Sequence, residues 1–210
     1  MSRIPLRILF LLAACLARPA TAAGPQEFVF DPVHTRVAFQ VSHAGFSNPI
    51  GSFSGAQGEV RFDPDDWSTA QVSVRIAIAS LDLGDGEWRK RILDRTFFDA
   101  ERFPDARFRS LRVERIDATH GKLHGELSLH GVTRPLSLDF TFNALKRHPL
   151  TFKRTAGFSA SGTLRRSEFG MDAWKNLVGD EVRLIIEAEA VRGRGDHDDD
   201  SKEATHADPQ

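Results

Sequence analysis

The chain has 210 residues with 28 basic and 29 acidic side chains, a single cysteine, and sixteen phenylalanines against no tyrosine. One cysteine excludes an internal disulfide, so stability has to come from a core, and the length suits one domain between two unlike termini. Charge is uneven along the chain: residues 1–22 hold three basic groups, residues 193–210 hold two basic against six acidic, and the middle keeps 23 of each, which makes nucleic acid or an anionic membrane surface a poor partner.

The first segment, "MSRIPLRILFLLAACLARPATAAGPQ", has arginines, an apolar run from Ile8 to Ala17 and then small residues. This is the layout of a secretory signal peptide, with a run too short to span a bilayer as a helix. Ala20-Thr21-Ala22 fits cleavage after residue 22 and a soluble periplasmic product. Leu12-Ala13-Ala14-Cys15 resembles a lipobox, which would instead anchor the protein through Cys15. Without that anchor, membrane contact is expected to be transient.

Period-two alternation then recurs, as expected for strands half-buried in a sheet. Strands are predicted near 35–43, 52–62, 71–81, 107–116, 121–130, 135–143, 154–165 and 181–191, with a short one at 28–30. In the first, Val37, Phe39 and Val41 share one face, and His43 continues it. In the second, Ala56, Gly58, Val60 and Phe62 share a parity that Phe53 does not, and a bulge near Gly55 reconciles them. The third offers Val72, Val74, Ile76 and Ile78, and the seventh Ala156, Phe158, Ala160, Gly162 and Leu164, with Arg166 next on that parity.

Between the third and fourth strands, "DGEWRKRILDRTFFDAERFP" reads as a helix over 86–96 with Asp85 as its N-cap. Trp88, Ile92 and Leu93 form its apolar stripe. "MDAWKNLV" at 171–178 reads as a helical turn, and both segments are placed to lid a barrel mouth. The residues after 192 are acidic and aperiodic, and read as a disordered tail.

The expected fold is all-β: an eight-stranded antiparallel barrel over 23–192 with one short helix, a two-sheet sandwich being the alternative. Several inward positions are small, which suggests a cavity. Abundant phenylalanine without tyrosine suits a dry interior, because a buried tyrosine hydroxyl needs a partner.

Five stretches in this order resemble the YceI-like family of exported bacterial proteins: "FDPVHTRVAFQVSHAGFSNPIGSFSGAQGEVRFDP", "FFDAERFPDARFRS", "GELSLHGVTRPLSL", "GFSASGTLRRSEFGM" and "VGDEVRL". The resemblance runs from about Phe28 to Val191. It implies a lipocalin-like barrel holding a polyisoprenoid chain, mostly periplasmic, with no established catalysis. "GEWRKRILDRTFFD" departs from the arginine-aspartate and histidine-leucine-arginine pattern of many relatives.

Inward parity and resemblance together assign ligand contact to Val37, Phe39, Val41, His43, Ala56, Gly58, Val74, Ile76, Ile78, Phe108, Phe158, Ala160 and Arg166. His43 is expected to bond a ligand head group, or else a backbone carbonyl at the rim. Arg166 requires a phosphate, carbonyls, or an internal carboxylate such as Asp31 or Glu168. His34 after Asp31 reads as fixing a turn. No catalytic or metal residues are assigned, "DHDDD" at 196–200 reading as solvated tail, and no cofactor is expected beyond the isoprenoid lipid itself. A homodimer stays open, as does an accessory role that uses a bound quinone, or a stress-related module whose cavity is structural only.

Overall fold

The structure is a computed structural model that describes residues 24–193. The expected signal peptide, Cys15 and the acidic tail lie outside the described residues. Ten strands run in chain order: β1 (Gln26–Phe30), β2 (Arg36–His43), β3 (Ile50–Phe53), β4 (Gln57–Phe62), β5 (Gln71–Ala77), β6 (Asp105–Arg115), β7 (His120–Leu129), β8 (Val132–Arg147), β9 (Arg154–Arg165) and β10 (Val178–Arg192). Among the described residues one α-helix, α1 (Gly86–Leu93), lies between β5 and β6.

Ten segments make eight staves, because two staves are broken. β1 and β2 lie end to end along one edge of β10, with Phe30 opposite Ala190 and Arg36 opposite Glu187. β3 and β4 lie end to end beside them, β3 against β2 and β4 against β1. The ring then runs β4–β5–β6–β7–β8–β9–β10 and closes through β1 and β2, antiparallel throughout. Closure leaves a barrel rather than a sandwich, and among the described residues the outer side of β3 is the stretch of the ring without a ladder.

Each break has a local cause. Between β1 and β2, Pro32 has no N–H to give to a ladder, and Asp31 Oδ1 accepts from Val33 N (2.8 Å) and His34 N (3.2 Å). His34 Nδ1 meets Asp31 Oδ2 at 2.9 Å, so His34 fixes this turn, as its position after Asp31 suggests. The kink is pinned to β10 by Thr35, whose Oγ1 donates to Glu189 O (3.1 Å). Between β3 and β4, Gly55 takes φ +66°, the left-handed region that glycine enters without penalty. The parity change read between Phe53 and Ala56 is this break.

α1 begins where expected, with Asp85 accepting from Trp88 N (2.7 Å). It ends at Leu93 rather than near 96, because Asp94 is extended and the chain turns through Asp99 at φ +45°. Arg89 fastens it, donating through Nε to Leu81 O (2.7 Å) and through Nη2 to Ala79 O (2.5 Å). The segment 171–178 is not helical. Trp174 has φ +56°, and Leu177 N and Val178 N both close on Trp174 O (2.8 and 2.9 Å), which makes a tight turn.

One end of the barrel is plugged by aromatic rings. Phe62 packs on Phe142 (centroids 5.0 Å), edge-on to Phe158 (5.4 Å) and against Trp67 (5.9 Å), and Trp67 meets Phe140 at 5.3 Å. Trp67 arrives on the "DPDDW" turn after β4, its Nε1 donating to Pro64 O (3.1 Å), and Arg115 covers its ring at 4.7 Å. Each such ring stabilises the fold by roughly 1.5–3 kcal/mol through burial, with about 0.5–1.5 kcal/mol more per good ring pair. At the other end the wall is thinner. Among the described residues β3 forms no ladder with β5, and β3 meets the chain just beyond β5 through the isolated Ser52–Asp82 bridge.

The β6–β7 hairpin turns on Asp117. Its carboxylate accepts from Thr119 N (2.8 Å) and His120 N (2.8 Å) and meets His120 Nδ1 (2.9 Å), which lowers its pKa from 3.8 to about 2. A carboxyl depressed in the folded state contributes stability above its unfolded pKa and loses it as pH falls through the folded value. Asp117→Ala should therefore lower the thermal midpoint near neutral pH, and the gap to the parent should shrink as pH falls from about 4 to 2. A gap constant across that range would mean that the carboxylate does not hold the hairpin.

Candidate functional site

Above the aromatic plug the barrel is hollow. The cavity has a volume of about 310 Å³, within the range of small-molecule sites. Phe30, Phe62, Phe140 and Phe158 form its floor, and Val74, Ile76, Phe108, Leu138, Ala160, Leu184 and Ile186 line its middle. Phe39, Val41, Phe53, Leu83, Trp88, Ile92, Phe97 and Phe98 surround the upper part. Thr35 and Arg166 are the polar residues that touch it.

Eleven of the thirteen assigned positions lie on this wall: Val37, Phe39, Val41, Ala56, Val74, Ile76, Ile78, Phe108, Phe158, Ala160 and Arg166. Ile78 reaches it from a 3₁₀ turn, Ile78–Ser80, rather than from β5. Two positions are elsewhere. His43 ends β2 in an exposed position, its backbone paired with the turn that follows (N to Ser47 O, 2.9 Å). Parity put it inward, but the strand finishes at this residue and the ladder that orients side chains finishes with it.

Gly58 does not open space either. It has φ +137°, and a Cβ built there would collide with the Ser73 carbonyl of β5, so glycine here permits close approach of two backbones. The inward glycines in general make room for neighbouring side chains: Gly121 faces the Phe140 ring, Gly125 the Phe108 ring and Gly162 the Leu138 side chain. The hollow is bordered instead by alanine at 56 and 160 and by short valines.

Arg166 opens a 3₁₀ turn, Arg166–Phe169, and is 5 % exposed. Its guanidinium meets backbone carbonyls: Nε donates to Gly179 O (2.8 Å), Nη2 to Val178 O (2.7 Å) and Nη1 to Met171 O (2.5 Å). Burial lowers its pKa, and the charges of Asp180 and Asp172 oppose that shift. Neither expected carboxylate is the partner. Asp31 is engaged by His34, which lowers its own pKa. Arg166 therefore ties the turn before β10 to the end of β9. Asp180 completes the tie by accepting from Ser167 N (3.0 Å).

Thr35 is buried with its hydroxyl on Glu189, so both polar residues of the wall are bonded to protein. The ligand atoms of Asp31, His34 and Glu189 lie within 4.8 Å of one another. To meet one divalent ion, they would have to give up the 2.9 Å Asp31–His34 contact that shapes the kink.

Sequence reasoning missed Leu83, Phe97, Phe98 and Met171 as cavity residues. They sit in turns, where no periodicity reports a face. The "FFD" stretch carried the signal, since adjacent apolar rings in a polar turn need a place to go. Phe98 meets Phe53 edge-on at 5.7 Å, and its N donates to Ile92 O (3.1 Å), which folds the turn back under α1.

The geometry agrees with what the chain is similar to. The family model described as a YceI-like domain matches residues 28–190. A UPF0312 protein of Photorhabdus laumondii is 31% identical over 187 residues, covering 88% of this chain and 96% of the relative. A UPF0312 protein of Pseudomonas putida is 33% identical over 159 residues, 76% and 82% of the two chains. Among solved structures, a Campylobacter jejuni YceI protein superposes with TM-score 0.65 at 29% identity, over 70% of this chain and 87% of that one. Burkholderia cenocepacia BcnA gives TM-score 0.70 at 22% identity, over 77% and 99%. A polyisoprenoid binding domain from Saccharophagus degradans, implicated in plant cell wall breakdown, shares the fold at TM-score 0.57 and 12% identity, over 79% and 98%. By the family model and these relatives alike, the chain belongs to the YceI-like family.

Proposed function

We propose that this protein is an exported, non-catalytic carrier that holds an isoprenoid lipid inside its barrel, for transport, storage or sequestration. The observation that carries the reading is the hollow above the aromatic floor, walled by apolar side chains. Water gains no partner there, whereas a hydrocarbon chain gains contacts along its length. Burying one CH2 contributes about 0.8 kcal/mol, so a five-carbon unit offers on the order of 3–4 kcal/mol gross, against which the chain's ordering must be set. The shared fold of the Saccharophagus degradans polyisoprenoid binding domain supports the same ligand class.

The wall also suggests which way round the ligand lies. Thr35 and Arg166 have bonds to protein already, so a polar head pushed to the floor would be desolvated among phenylalanines. The tail enters first and the head stays at the opening, where His43 ends β2 as an exposed neighbour. Apolar contacts read chain length weakly, so selection among isoprenoids is loose.

Ala160→Trp tests the hollow. Overpacking a filled core costs roughly 1–3 kcal/mol, whereas a ring placed in lipid-holding space should displace the lipid and leave the fold intact. The expected variant keeps its thermal midpoint after lipid extraction and co-purifies with little lipid by mass spectrometry. A variant that keeps its full lipid load would put the ligand outside the barrel.

Arg166→Met should destabilise strongly, because each of the three carbonyls left without a donor costs about 1–3 kcal/mol, and not additively. The protein that still folds should bind farnesol and farnesyl phosphate in the parent's ratio. Selective loss of the phosphate would make Arg166 a head-group contact.

Export through the first 22 residues predicts a mature chain beginning at Ala23 or Gly24, readable from intact mass. A diacylglycerol adduct on Cys15 would replace that account with a lipoprotein.

A further inference from the structure

Large apolar side chains are exposed on the turns at the end of the barrel opposite the aromatic floor. Phe46, in the turn joining β2 to β3, is 90% exposed, Trp174 57% and Leu177 45%. They form one rim: Ala44 N donates to Leu177 O (2.6 Å), and the Trp174 ring meets Phe97 at 6.2 Å. Phe97 itself lines the cavity, as does the partly exposed Trp88 of α1, so apolar surface continues from the interior out to the rim.

We infer that this rim docks on a lipid bilayer, so that the carried chain passes between cavity and membrane without crossing water. The inference rests on the carrier reading above and adds the partner it would load from. Two features favour a bilayer over a protein surface. First, the rim adjoins the cavity wall through Phe97, and a chain leaving the cavity there needs a hydrocarbon phase on the other side. Second, Lys90 and Arg91 on α1 and Arg95 just beyond are exposed, and none meets a carboxylate within 4.0 Å among the described residues. Trp88 and Arg91 lie one helical turn apart on α1, and a ring beside a long basic side chain suits the interface, where rings enter the acyl boundary and cations reach phosphates. The domain's balanced charge excludes attraction by net charge, so apolar contact has to supply most of the affinity.

The opposite end provides an internal control. The β8–β9 turn exposes Leu150 (83%) and Phe152 (69%), but the aromatic floor separates that end from the hollow. The experiment measures sedimentation of the full mature chain with phosphatidylethanolamine/phosphatidylglycerol vesicles, and farnesol binding in vesicle-free solution. Phe46→Ser with Trp174→Asn, asparagine tolerating the left-handed backbone of Trp174, should weaken vesicle association at least about tenfold. Farnesol affinity should not change. Leu150→Ser with Phe152→Asn should match the parent in both assays. If the first pair does not fold, Phe46→Ser with Leu177→Ser should give the same result.

A parent that ignores vesicles, a rim variant that binds them as the parent does, or an equal loss in the far-end pair would each overturn the docking surface. Vesicle association that depends on the rim, in a protein that binds no farnesol, would uphold docking and overturn the carrier reading.

Discussion

Along one edge of β10 run β2 and then β1, and along the other runs β9 for eleven residue pairs. This hydrogen bonding closes the sheet, and the interior exists because the sheet is closed. β10 can serve two partners on one edge only because the chain kinks between them at Asp31–Thr35. The carboxylate of Asp31, the missing N–H of Pro32 and the Thr35 hydroxyl on Glu189 thus set how the ring meets itself. A straight stave would carry one twist through the full height of the barrel. The kink lets the lower part turn toward β4 and the upper part toward β3.

The two ends spend their aromatic residues differently. At the floor, Phe62, Trp67, Phe140, Phe142 and Phe158 stack on one another and leave no room. Near the mouth, Phe39, Phe53 and Phe98 form a chain of contacts along the wall, at 5.6 and 5.7 Å, and leave the centre open. Tyrosine would fit neither place, because its hydroxyl would find no partner among rings or beside a hydrocarbon chain. The bias toward phenylalanine read from composition has this physical use.

Much of this was legible in the sequence, for identifiable reasons. Alternation predicts the staves because each has a wet and a dry face, and the parity change around Gly55 locates a break to within a residue or two. The helix start is legible because Asp85 does a local job with a local signature. Two kinds of error remain. Parity gives the face a strand residue takes but not how far the wall reaches, so His43, opposite Val178 at the last rung of β2, stands exposed where the wall ends. A small residue looks like a gap until its neighbour is known, and the backbone of β5 or the rings of Phe108 and Phe140 are not visible from Gly58, Gly125 or Gly121. Arg166 reads as buried and in need of partners, but the carbonyls that serve it, at Met171 and at the start of β10, have no sequence mark.

The seam between β3 and the chain just beyond β5 carries one bridge and the Ser54 N to Ser80 Oγ bond (3.2 Å), where other seams carry whole ladders. A hoop under strain parts at its least stitched place, so thermal breathing of this barrel should concentrate beside Ser52 and Asp82, directly under α1. The helix is held there by its cap and by the Arg89 bonds to Ala79 and Leu81, which makes it a splint across a slit. Such a slit has a use that a rigid opening lacks. It can widen for a branched chain and close behind it, so the girth of what enters is set by elasticity of the wall rather than by a fixed diameter.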